Sequence, residues 1–157
     1  NDRPMIGQYG VNNEGSQDMY YKGANLLHTI RQIINDDEKF RQILRGLNKT
    51  FYHQTVTTSQ IEDYMSKRSN INLSKIFDQY LRTTQIPILQ WKYKNETLSV
   101  KWSNCIKNFQ MPVRFSDTKE QYKTIDANSK TWTSIKTHLL EIKNKNFYVF
   151  YQENASQ

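Results

Sequence analysis

At 157 residues the chain suits one ordinary domain or two small ones. Its lone cysteine, Cys105, excludes an internal disulfide and a cysteine-based zinc site, and no apolar run approaches the ~18 residues of a membrane span. The net charge of +7 admits an anionic partner, while 13% aromatic residues can build a core from a modest 36% hydrophobic content.

Residues 1–15 hold Pro4, Gly7, Gly10 and Gly15, with Asn12-Asn13 between them, and read as an irregular loop. The chain opens on Asn1 rather than Met and shows no signal peptide or anchor, so we expect a processed or truncated piece of a longer protein. A helix is predicted over about 17–34, its apolar stripe running Tyr20, Gly23, Leu27, Ile30 and Ile34 at steps of three and four. The next helix opens on Asp36, Asp37 and Glu38, where the dipole favours acidic side chains. It buries Phe40, Ile43, Leu44, Leu47 and Phe51. For a third helix, Ser59 and Glu62 stand at capping-box spacing, with Thr58 competing for the cap. Ile61, Tyr64 and Met65 are its inner residues, and it stops near Ser69-Asn70. Asn72 is the expected cap of a fourth helix, with Leu73, Ile76, Phe77, Tyr80 and Leu81 as its stripe.

After Ile86-Pro87 the period changes to two. Leu89, Trp91 and Tyr93 alternate with Gln90, Lys92 and Lys94, a turn falls at Asn95-Glu96, and Leu98, Val100 and Trp102 alternate with Ser99, Lys101 and Ser103. Further short strands are expected at 111–115, 121–125, 131–135 and 147–151, spaced as in an antiparallel sandwich. The fold class is therefore α+β: a helical subdomain of about four helices over 1–86, then an antiparallel β-sandwich over 87–157. The charge is uneven, +2 over 1–87 and +5 over 88–157. Lys92, Lys94, Lys101, Lys107, Lys119 and Lys123 stand singly between other residues and read as a solvated strand face rather than a nucleic-acid patch.

The most specific string opens the first helix: Tyr20-Tyr21-Lys22-Gly23-Ala24, continuing Asn25-Leu26-Leu27-His28-Thr29-Ile30-Arg31. It reads Tyr-x-Lys-Gly-Ala. Together with Phe77-Asp78-Gln79-Tyr80-Leu81-Arg82 and Gln85-Ile86-Pro87, it resembles the aminopeptidase N-like zinc peptidases, the gluzincin aminopeptidases. Members carry a Phe-Asp-x-(Trp or Tyr)-Leu stretch and a proline where the catalytic helices give way to the first strand. The likeness covers residues 17–103 by motif and the rest by architecture. It implies a C-terminal fragment of such a peptidase, with Tyr20 as its catalytic residue and Gly23 close to the substrate. The tyrosine donates a hydrogen bond to the oxyanion as the scissile carbonyl becomes tetrahedral, a role suited to an uncharged phenolic donor.

Zinc in that family sits on a His-Glu-x-x-His helix and a glutamate from the following helix, and the first glutamate serves as general base. His28, His53 and His138 have no histidine partner at i+4. The resemblance thus implies zinc in the full-length parent, no metal or cofactor in this fragment, and a fragment inactive alone. The implied partners are a peptide substrate and the rest of the catalytic domain, with neither nucleic acid nor membrane. Removal of that domain would bare apolar surface on the helices, so self-association of the fragment is expected. An exported or periplasmic bacterial setting is what the resemblance suggests.

Read from the residues alone, Tyr20 belongs to the apolar stripe and is a core residue with its hydroxyl at the edge. Tyr21 competes with it, but counting back from Lys22-Gly23 selects Tyr20. Gly23 lets another helix or the substrate backbone approach closely. The competing function is a non-catalytic module that binds carbohydrate, peptide or nucleic acid. Trp91, Tyr93, Trp102 and Trp132 would be its stacking residues, although alternation with lysines favours their burial. A third reading is a degenerate parent that kept the fold and lost its zinc ligands.

Overall fold

A computed structural model describes residues 1–10, 15–117, 122–139, 141–142 and 146–154. Asn12, Asn13, Lys119 and Gln121, invoked above, lie outside the described residues. Four helices come first: α1 Asp18–Ile34, α2 Asp37–Thr50, α3 Thr58–Ser69 and α4 Ser74–Arg82. Seven strands follow: β1 Ile88–Lys94, β2 Thr97–Ser103, β3 Gln110–Ser116, β4 Tyr122–Asn128, β5 Thr133–Lys136, β6 Glu141–Ile142 and β7 Phe150–Glu153.

The helix ends show which local signals prevail. Asp36 caps α2, its carboxylate accepting from the Lys39 amide at 2.9 Å, an arrangement worth ~1 kcal/mol. The capping box of α3 is formed by Thr57 and Gln60, one register away from the competing cap Thr58 and two from Ser59. Thr57 wins because its extended backbone points the hydroxyl at the Gln60 amide, while the Gln60 side chain returns to the Thr57 amide. Asn72 is not the cap of α4. Leu73 occupies that position, and the Asn72 amide oxygen accepts from the Ser74 amide and hydroxyl one step earlier. Asn35 and Asn70 close α1 and α3 in the left-handed region, at φ 53° and 60°.

The strands form two sheets, ordered β5-β2-β1-β7 and β4-β3-β6. The expected hairpin is present, with Trp91 opposite Val100 and Lys94 opposite Thr97. Its turn places Asn95 and Glu96 at φ 50° and 55°, the primed geometry that matches strand twist. The sandwich is not wholly antiparallel: β7 pairs with β1 in parallel, Ile88 beside Phe150. The strand expected at 147–151 begins at Phe150 instead, since Phe147 turns into the core. The strand expected at 131–135 begins at Thr133, after the Asn128 side chain has accepted from the Lys130 and Thr131 amides.

One apolar cluster runs through both halves, joining Leu26, Ile30 and Phe77 of the helices to Trp102, Met111 and Phe115 of the sheets. Polar bonds cross the same junction. The Tyr80 hydroxyl donates to the Tyr148 carbonyl at 2.7 Å, and the Tyr148 amide donates to the Thr29 hydroxyl at 3.1 Å. Arg114 on β3 donates to the Gln32 carbonyl at 2.5 Å, near the C-terminal end of α1. The helical and sheet halves therefore share a core, and the C-terminal half of α1 is tied to the sheet half.

Cys105 sits half-buried in the β2–β3 connection. Burial pushes its thiol up to about 11 from the ordinary 9.0, against an opposing hydrogen bond with Ser129. At pH 8 the reactive thiolate is then about a hundredfold scarcer than for an unshifted thiol. Labelling by a disulfide reagent at pH 8 should be slower by about that factor than for free cysteine, and should climb about tenfold per pH unit towards pH 11. A rate equal to free cysteine would contradict the placement of this side chain.

Candidate active site on the first helix

The buried side of α1 runs through Lys22, Leu26, Thr29 and Ile30. Residues two positions apart on a helix lie nearly opposite, so burial of Lys22 turns Tyr20 outward. Tyr20 is 69% exposed. The expected stripe Tyr20-Gly23-Leu27 does share a face, but that face is not core: Leu27 is exposed, and Leu26 takes the inward place. The correction has a plain cause. The aliphatic stem of Lys22 can be buried once its ammonium is satisfied, and this rotates the buried face by one position.

The exposed face lines an open groove of about 600 Å³ between α1, α3 and α4. Tyr20, Gly23 and Leu27 form one wall, Ile61 and Met65 come from α3, and Phe77 and Leu81 from α4. Ile6 also lines it, held there by a 2.9 Å bond from its amide to the Leu81 carbonyl. The lining is mainly apolar. Glu62, its acidic member, pairs with Arg82 at 2.7 Å. Tyr21 is exposed too but does not line the groove, whereas Tyr20 does.

Gly23 lies beside Tyr20 on the groove wall, and a methyl group added there would meet no atom within 4 Å. Among the described residues, then, no helix makes the close approach that Gly23 was expected to allow. Gly23→Ala should stabilise the 157-residue chain by ~0.5–1 kcal/mol, since alanine is the better helix former. Thermal unfolding measures this directly, and a lowered midpoint would mean that the site is not open.

Lys22, in the same motif, is 2% exposed. Its ammonium donates to the Thr83 carbonyl at 2.7 Å and to the Asn1 side-chain oxygen at 2.8 Å. Burial pulls this group below its ordinary value, and the Asp18 carboxylate acts in the opposite direction. The residue types alone did not reveal this burial. The signal was available in the spacing, because Lys22 lies four residues before Leu26, on the same face.

The histidines do not gather. His28 is half-buried on α1, and His53 and His138 are exposed. No three His, Cys, Asp or Glu side chains among the described residues are placed to hold a metal ion. The donor set that zinc requires is therefore not offered by the described residues. The proposed aromatic platform does not assemble either. Trp102 is sealed inside, with its indole N–H donating to the Met111 carbonyl at 2.8 Å, and Trp91 and Tyr93 are half-buried. Trp132 stands apart at the surface, with the Lys92 ammonium 4.9 Å from its ring centre.

Comparison with known proteins agrees with the motif. Residues 11–80 match the Peptidase family M1 domain. The fold is similar to that of aminopeptidase A from Legionella pneumophila, solved in complex with aspartic acid, with a TM-score of 0.69 at 15% identity. That match covers 90% of this chain and 18% of the other, so the chain spans less than a fifth of the protein it resembles. A comparison with curated proteins gave no match. Residues 11–80 thus resemble part of the Peptidase family M1 domain, and the fold resembles that of an aminopeptidase, in line with the likeness first drawn from Tyr-x-Lys-Gly-Ala.

Proposed function

We infer that this chain is a C-terminal part of a zinc aminopeptidase that removes N-terminal residues from peptides. The observation that carries this reading is the setting of Tyr20: exposed, in the first turn of α1, on the wall of an apolar groove. A phenol so placed can donate a hydrogen bond to a carbonyl oxygen as that oxygen gains charge. Such a bond strengthens in the transition state, so it raises turnover more than it tightens substrate binding. Gly23, one turn along the same wall, leaves the space that a peptide backbone needs. Zinc, its ligands and the residue that activates water belong in this reading to polypeptide outside the chain. The partners are a peptide and that remaining catalytic polypeptide, rather than nucleic acid or a membrane. The bare apolar groove is where the isolated chain would self-associate.

The test compares the purified chain with the longer protein that contains it, using an aminoacyl anilide with and without a chelator. The expected result is no cleavage by the chain and chelator-sensitive cleavage by the longer protein. Zinc-dependent cleavage by the chain alone, or none by the longer protein, overturns the reading.

A further inference from the structure

Tyr20 has no hydrogen bond from its hydroxyl to any described residue, so its placement depends on the backbone of the first turn of α1 and on the packing of its ring in the groove. That turn is weakly capped. Gln17, at the cap position, makes no side-chain bond to the helix. The Asp18 amide reaches the Ser16 hydroxyl at 3.2 Å, and the Tyr20 amide reaches the Gln17 carbonyl at 3.3 Å, both long. A helix start held this loosely frays unless tertiary contacts pin it.

The pin is Lys22. Its ammonium bonds the Thr83 carbonyl, 61 residues away, in the connection between α4 and β1. Thr83 is itself fixed by Gln79, which is fully buried. The Gln79 side-chain nitrogen donates to the Thr83 hydroxyl at 3.2 Å and to the Gln85 carbonyl at 2.8 Å. The Gln79 side-chain oxygen accepts from the Ile106 amide of the β2–β3 connection at 2.7 Å. A line of hydrogen bonds therefore runs from the sheet half, through Gln79 and Thr83, to the turn that carries Tyr20. Asn1 adds a second hold, accepting from Lys22 and donating to the Thr84 carbonyl.

We propose that Lys22 is a positioning residue for Tyr20, fixing the first turn of α1 on the helix–sheet junction through Thr83 and Gln79. This rests on the function proposed above for Tyr20. Misplacing a reacting group by about an ångström can cost on the order of a hundredfold in rate. Lys22→Met keeps the buried stem and removes both bonds.

The experiment has two arms. In the 157-residue chain, Lys22→Met should speed amide exchange at residues 20–23 tenfold or more while the amides of β2 exchange as before. In the longer protein, the same change should lower kcat tenfold or more with KM within about twofold. Made on top of Tyr20→Phe, it should cause no further loss. Unchanged exchange at residues 20–23 overturns the proposal, as does an equal loss of kcat with and without the Tyr20 hydroxyl. A Tyr20→Phe enzyme with normal turnover overturns the function itself, and with it any catalytic role for Lys22, whatever the exchange arm reads. Should Lys22→Met fail to fold, Asn1→Leu removes one of the two acceptors at an exposed site. It should give the same pattern at smaller amplitude, and no change in either arm would count against the pin.

Discussion

Tyr20→Phe, made in the longer protein that contains this chain, should lower kcat by about 10²–10³-fold and leave KM within about twofold. The reason is the difference between ground state and transition state. A neutral carbonyl gains little from one more donor, whereas the developing oxyanion gains ~3–4 kcal/mol from a donor already in place. Loss of that donor alone lowers kcat and kcat/KM together. The substitution is otherwise mild: Tyr20 is 69% exposed and its hydroxyl bonds no described residue, so the variant should unfold close to the temperature of the parent. Unchanged turnover would remove Tyr20 from the chemistry. A matched rise in KM at constant kcat would make Tyr20 a binding residue for the substrate ground state. Tyr21→Phe is the internal control, since Tyr21 does not line the groove and should lose little.

The second large effect is on stability. Trp102→Ala should destabilise the chain by ~3–5 kcal/mol, the range for removing a buried aromatic side chain. The indole is 1% exposed, meets the Phe109 ring edge-on at 5.8 Å between centres, and satisfies the Met111 carbonyl. Its loss would leave a cavity and an unpaired carbonyl in the same place. Against the 5–15 kcal/mol usual for a domain, that is a large fraction, and the urea midpoint should fall by about 1–3 M. Because one apolar cluster serves helices and sheets, the helical signal in circular dichroism should be lost in the same transition as the sheet signal. A shift of the midpoint by a few tenths of a molar would instead put Trp102 at the surface, as the carbohydrate- or nucleic-acid-binding reading required.

The periodicities of this sequence carry its element types. Steps of three and four wrote the four helices, and strict alternation after Pro87 wrote the β1–β2 hairpin, because side-chain direction along one element follows from local backbone geometry alone. The motif Tyr20-x-Lys22-Gly23 likewise suggested a candidate site, and in the structure Tyr20 and Gly23 line one groove wall while Lys22 is buried.

What periodicity could not supply is everything decided between elements. Thr57, Thr58 and Ser59 are chemically similar caps, and choosing among them depends on the direction from which the preceding chain arrives. The parallel seat of β7 beside β1 pairs residues about sixty positions apart, a choice that no local period encodes. Most of all, α1 presented two adjacent faces of nearly equal apolarity, one through Leu26 and one through Leu27. Burial of Lys22 decided between them, and that burial is favourable only because the Thr83 carbonyl and the Asn1 side chain are waiting for its ammonium. A lysine reads as solvated until its partners are known, and those partners come from the two ends of the helical half, brought together by the tertiary fold.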